Sequence, residues 1–234
     1  DNWLDAGDAV RAQNAFSGVT RPQGGELLWR WDSTNAALLL FRGEAERARD
    51  LLEALSRQSL SPELRLRVEA LRADAWFQLQ EPTRAVELLL QRESWLDNRQ
   101  SIERNRERIR KGLLVSDPHV LRASGEAATD PTVRGWLTLG SLATATGQQG
   151  IGWSNGVVRW RERNAGHPAM SVLDNLDIPE DQLLAYPRRI ALLLPLSGRA
   201  ASAGNAVQNG FLGAYFASAG GLDDRQSILV YDVD

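Results

Sequence analysis

Apolar residues recur three and four positions apart from Asp1 to about Ala169, with little of the alternation that marks a strand. This predicts helices over most of the chain. The pattern changes near Tyr186-Pro187. Ile190 to Leu194 is a continuous apolar run, Pro195-Leu196-Ser197-Gly198 is a turn, and Ala/Gly-rich sequence leads to Gly221. A second apolar run follows from Ile228 to Val233. Strand, loop, helix, strand is one βαβ unit. A single such unit cannot bury both faces of its strands, so the expectation is one whole domain plus the first piece of another. The expected bounds are 1–170 for the helical domain, 171–187 for a short acidic linker with a helix begun at Pro179, and 188–234 for the α/β unit.

A single arrangement repeats along the helical domain. Gly43, Ala48 and Leu52 are separated by gaps of five and four, as are Gly7, Ala12 and Phe16, then Gln80, Ala85 and Leu89, then Gly147, Gly152 and Gly156. The lead positions 7, 43 and 80 are 36 and 37 apart, and 80 to 147 is 67, close to two periods. A second pair precedes each lead: Ala36 and Leu39, Ala73 and Trp76, Gly140 and Ala143, the last behind Trp136 and Leu139. This resembles the tetratricopeptide repeat, a helix pair with W-x2-L-G-x2-Y on the first helix and A-x3-F on the second. Two antiparallel helices approach closely only where side chains are small. Ala36 against Ala48 and Ala73 against Ala85 are the expected close contacts, with Leu39, Trp76, Leu52 and Leu89 filling the space to the next repeat. Stacked pairs build a superhelix. Ser94 to Asp130 fits poorly and reads as a degenerate repeat, with a helix over Ser101–Leu114 and a short one between Pro118 and Pro131.

Composition narrows the chemistry. The 234 residues are 43% hydrophobic and 24% charged, with a net charge of -3, which gives no reason to expect nucleic acid. The apolar runs are too short to span a bilayer. No secretory leader is visible, though the chain begins mid-pattern, so a leader or lipid anchor could precede it. There is no cysteine, which removes disulfides, thiolate metal sites and a Cys nucleophile. Lys111 is the only lysine among 27 basic residues, a bias that points to base composition rather than chemistry.

Candidate sites are few. Arg99, Arg104, Arg106, Arg108, Arg110 and Lys111 form a basic run, with Glu103 and Glu107 placed to pair with Arg106, Arg110 and Lys111. The expected outcome is a solvated helix face rather than a polyanion contact. The glycines at 147, 150, 152 and 156 follow no strand, so they read as helix packing with some local irregularity, not a dinucleotide loop. His119 and His167 sit beside prolines without carboxylate clusters, so neither a metal site nor a catalytic dyad is expected. Ser197, Gly198 and Arg199 form the one loop with ligand-binding potential. They lie at the carboxyl end of a strand and before a helix N-terminus, where α/β sheets bind ligands and anions. No Walker loop, G-x-S-x-G elbow or H-E-x-x-H occurs, so no enzyme and no cofactor are expected.

Ile190 to Arg199, followed by the Ala206-Val207-Gln208-Asn209-Gly210-Phe211 helix, resembles the opening of type I periplasmic binding protein domains. Gly135-Trp136-Leu137-Thr138-Leu139, then Trp160, then Gly166-His167-Pro168-Ala169, resembles the end of the repeat domain in the LpoA family, and Leu4–Asp8 fits that family's first repeat. The resemblance implies an outer-membrane lipoprotein that activates a bifunctional class A penicillin-binding protein. The repeat domain would reach through the periplasm toward peptidoglycan, and docking on the synthase would run through the C-terminal domain, most of which lies beyond this sequence. The lipid-bearing cysteine of the family is absent here. Two other classes stay open. One is a small-molecule receptor using Ser197 in an α/β cleft. The other is a scaffold that holds an extended peptide on its inner groove, for which Asn35 and Arg72 occupy comparable positions.

Overall fold

A computed structural model of the chain describes residues 9–148, 150–174, 176, 189–218 and 227–233. Gly7, Leu4–Asp8, Pro179, Pro187 and Gly221, all named above, lie outside these. The described chain is mostly α, a tetratricopeptide-like array followed by one βαβ unit. Helices α1 (Ala9–Ser17), α2 (Gly25–Phe41), α3 (Ala45–Ser56), α4 (Pro62–Gln78), α5 (Pro82–Glu93), α6 (Arg99–Leu114), α7 (Pro118–Ala127), α8 (Pro131–Thr146), α9 (Gly150–Arg163) and α10 (Met170–Asp174) make the array. Strand β1 (Arg189–Leu194), helix α11 (Ala201–Ser218) and strand β2 (Ser227–Asp232) make the βαβ unit. The chain divides into two compact units, Asp1–Leu183 and Leu184–Asp234.

Local sequence starts the helices. Proline stands in the first turn of α4, α5, α7 and α8, where its missing N–H is not needed. Asp117 accepts from the N–H groups of His119 and Val120, and Asp130 from those of Thr132 and Val133, each at the start of a helix. Those bonds hold the Asp130 carboxyl below the usual carboxylate range, the Val133 amide contributing most.

Packing then follows the repeat. Helices α2 with α3, α3 with α4, and α4 with α5 pack as neighbours. Ala36, Ala48, Ala73 and Ala85 are fully buried, as are Leu52 and Leu89. Full burial of each leucine is worth about 1.5–3 kcal/mol. Trp76 differs from the expectation. It is only partly buried, because its ring faces Arg84 and Arg49, whose guanidinium carbons lie 4.8 and 5.9 Å from its centroid.

The lead position of each repeat has a conformational role. Gly43, Gln80 and Gly147 adopt φ of 76°, 60° and 62°, the left-handed turn that ends the first helix of a pair. Gln80 holds this conformation with a side chain, and its amide oxygen accepts from the Asp117 backbone N–H at 2.6 Å. The repeat thus selects a backbone angle here, not a small residue. Gly156 answers to packing instead: a Cβ there would lie 2.4 Å from Leu142 Cδ1. Helix α9 runs from Gly150 to Arg163, and the irregularity falls just before it, where Gly147 and Gln148 take φ of 62° and 57°.

The degenerate stretch departs from the hairpin pattern. Helix α6 packs on α5 and α8, while α7 packs forward on α8. Buried polar groups hold it. Asn105, 1% exposed, donates to the Leu89 carbonyl and accepts from Arg92, which also donates to the Leu66 carbonyl. Arg106 reaches Glu93 on α5 and Ser171 on α10. Val172 and Leu173 are buried in the same core, so residues 171–174 pack with the array.

In the second unit β1 and β2 pair in parallel, with Arg189 opposite Ser227 and Leu194 opposite Asp232. Leu193, Leu229 and Tyr231 are 65%, 43% and 50% exposed.

Candidate functional site

Helices α2, α4 and α6, the first helices of successive pairs, line a groove of about 1130 Å³ on the repeat unit. Its apolar lining includes Ala37, Leu40, Ala70 and Phe77. Helices α4 and α6 come close here: a Cβ on Gly112 would lie 2.2 Å from the Phe77 ring. Charged side chains complete it: Arg67 and Asp74 from α4, Arg92 from α5, and Arg104, Arg108, Arg110 and Lys111 with Glu103 and Glu107 from α6.

The basic run divides: Arg99, Arg104 and Lys111 are exposed, as a solvated face would have them, while Arg106 and Arg110 are half-buried. Arg108, Arg110 and Arg104 line the groove with Lys111, and Arg106, half-buried, pairs with Glu93 instead of Glu103. Glu107 does pair with Arg110, and Glu103 pairs with Arg99. The reason is tertiary. Packing of α6 on α5, α8 and α10 half-buries Arg106 and Arg110 and leaves Arg104 and Lys111 exposed. Burial raises the Asp74 carboxyl pKa, against the pull of Arg108, which donates to it. Burial and then the nearby Arg108 charge lower Arg92. Arg110 also donates to the Gln148 side chain.

Arg67, Asp74 and Arg92 escaped sequence reasoning. Arg67 and Asp74 are seven apart, hence on one stripe of α4, but nothing in one sequence says which stripe faces the groove. Arg72, named as a possible ligand-facing residue, is 16% exposed and bonds Glu53 and Glu69 between α3 and α4. Neither it nor Asn35 lines the groove.

Ser197, Gly198 and Arg199 are exposed at the end of β1, where Gly198 to Ala200 form a 3-10 turn leading into α11. Gly198 takes φ of 63°. The backbone N–H groups of Leu196 and Ser197 donate to Asp232 Oδ1 at 2.8 and 3.3 Å. A carboxylate of the chain thus holds two amides that an anion would use. Gly204 is fixed by approach: a Cβ there would lie 2.0 Å from the Pro195 carbonyl oxygen.

His167 is a packing residue. Nε2 bonds the Thr132 carbonyl at 2.8 Å and Nδ1 accepts from the Ala169 N–H at 3.1 Å, which fixes the neutral tautomer with the proton on Nε2. Its ring meets Trp136 and Trp160 edge-on, and Gly135 leaves room for it, since a Cβ there would sit 2.4 Å from Nε2. Trp160 Nε1 donates to the Gly135 carbonyl at 2.9 Å. Burial lowers the His167 pKa, partly offset by the Thr132 bond. His119 is exposed in the first turn of α7. Among the described residues no group of three or more His, Cys, Asp or Glu is placed to hold a metal, and no helix is long and apolar enough to cross a membrane.

The profile of the LppC putative lipoprotein family matches residues 26–234. Penicillin-binding protein activator LpoA of Photobacterium profundum is 25% identical over 205 residues, which make up 87% of this chain and 33% of that protein. Its counterpart of the same name in Vibrio vulnificus is 26% identical over 212 residues, 89% of this chain and 35% of that one. The chain spans about a third of the length of these relatives. Among solved structures, LpoA of Haemophilus influenzae superposes with a TM-score of 0.56 at 20% identity, over 98% of this chain and 41% of that chain. The N-terminal domain of LpoA from the same organism gives 0.56 at 18%, over 75% of this chain and 82% of its own. At such identities the structures share the fold: a helical array, and in the longer protein the α/β start behind it. Matched from Glu26 to its last residue, and built as a repeat array joined to a βαβ unit, the chain belongs to the LppC putative lipoprotein family, the family of the LpoA proteins.

Proposed function

We propose that this chain is part of a non-enzymatic activator of a bifunctional class A penicillin-binding protein, raising its transpeptidase activity. It would act in the periplasm from a lipid anchor in the outer membrane, with docking through the C-terminal domain. The observation that carries the reading is the family match along residues 26–234, with two relatives named penicillin-binding protein activators. The geometry favours holding and spacing over chemistry: His167 is a packing residue, and in the groove Arg108 pairs with Asp74 and Arg110 with Glu107.

The test is peptidoglycan synthesis by a purified class A synthase with and without the full-length protein. The expected result is a higher cross-linked fraction of the product. An unchanged fraction at saturating protein overturns the proposal. The receptor alternative is disfavoured because a ligand at Ser197 to Arg199 would have to displace Asp232 from the loop amides. Calorimetry of the full-length protein against free amino acids is expected to show no binding heat.

A further inference from the structure

Arg104, Arg108 and Lys111 are spaced four and three apart on α6, so they share one stripe, and that stripe lines the groove. Around the groove stand six cations, Arg67, Arg92, Arg104, Arg108, Arg110 and Lys111, against three carboxylates, Asp74, Glu103 and Glu107. The local excess is positive although the chain carries a net charge of -3. A concave, low-dielectric wall focuses such a field. Arg108 is committed to Asp74 and Arg110 to Glu107. Arg104 and Lys111 are exposed and make no ion pair among the described residues. They are the charges left to meet a ligand. Beside them Phe41 and Val115, 64% and 67% exposed, offer apolar contact along the same groove.

We propose that this groove binds an extended acidic segment of a protein partner, with Arg104 and Lys111 pairing its carboxylates and Phe41 and Val115 meeting its apolar side chains. Charge complementarity identifies the sign of the ligand. The lining identifies its class. Gln100 can exchange hydrogen bonds with a peptide backbone, while neither Trp nor Tyr, the usual platforms for sugar rings, lines the groove. Packed helices lie about 8–10 Å apart, so α2 to α6 spans about 16–20 Å. At about 3.3 Å per residue that accommodates about five to six extended residues.

The site is independent of the activator role, and a binding assay reads it without the synthase. The probe is a fluorescein-labelled Glu-Leu-Glu-Leu-Glu-Leu peptide, titrated with the full-length protein and followed by anisotropy. Saturable binding is expected that weakens with added salt and is lost with the Lys-Leu counterpart. The double variant Arg104→Glu, Lys111→Glu should weaken it by about tenfold or more, as expected for reversing charges that face the ligand. Arg122→Glu, an exposed site on α7 outside the groove, should leave it within about twofold. Circular dichroism confirms that the variants fold. No saturable binding, or equal loss with Arg122→Glu, overturns the proposal. So does tight binding of disaccharide-peptide fragments of peptidoglycan through Arg104 and Lys111 with none of the Glu-Leu peptide, which would assign the groove to the wall polymer.

Discussion

At the residue scale, two positions carry more than their size indicates. Gly43 stands at φ of 76° with nothing within 4 Å of where a Cβ would be, so a side chain there meets no atom, only backbone strain. Gly43→Ala is expected to cost about 1 kcal/mol, read as a lower midpoint in urea. His167 has both ring nitrogens engaged and only one proton to give. Protonating Nδ1 would set its new N–H against the Ala169 N–H that it now accepts. Burial lowers its pKa in the fold, from an ordinary 6.5. The unfolded chain binds the proton more readily, so the stability tied to neutral His167 is complete above about 6.5 and is lost as pH falls through the lower folded value. The melting temperature of wild type should drop between pH 7 and pH 5 by more than that of His167→Gln. Equal drops in both would remove His167 as the cause.

At the element scale, the array depends on small residues where paired helices meet. Ala85 is fully buried on α5, which packs on α4. Ala85→Leu is expected to overpack the α4–α5 contact and cost about 1–3 kcal/mol. Thermal unfolding tests this, and an unchanged melting temperature would mean that another face of α5 meets α4. The irregular repeat is held differently. Helix α6 carries a mean hydropathy well below its neighbours and buries only Asn105, Ile109 and Leu113. Arg106 to Glu93 and Ser171, and Asn105 to Arg92 and the Leu89 carbonyl, tie it to α5 and α10 instead. A helix with so few apolar anchors stays in place by satisfied polar contacts, and its remaining cations become groove lining.

At the scale of the whole molecule, helices pack mainly on those next in the array, with α5 also reaching α8, so effects at the two ends of the array should stay local. Gly43 closes the α2–α3 turn, and His167 sits against α8 and α9 at the other end of the array. The double variant Gly43→Ala, His167→Gln should show the sum of the single effects within about 0.5 kcal/mol. A larger deviation by equilibrium unfolding would reveal coupling through the intervening helices. The same stacking aligns α2, α4 and α6 along one groove and gathers positive charge there in an acidic chain.

The helices, their repeat, the βαβ unit and the family resemblance were legible in the sequence, because each rests on local periodicity. Apolar residues three and four apart mark helices, Pro and Asp mark their starts, and Ala36, Ala48, Ala73 and Ala85, expected where helices meet, are fully buried. The groove was not legible. Arg104, Arg108 and Lys111 read as a solvated stripe, since charge on one face of a helix looks the same whether it meets water or a concave wall. What decided it was the direction in which α6 is turned by α5, α8 and α10, and the arrival of Arg67, Asp74 and Arg92 from other helices. The Ser197 loop shows the same division. Its position before α11 followed from the sequence. Its occupation by Asp232, 35 residues later, follows from the parallel pairing of β1 with β2, which places that carboxylate beside the loop amides.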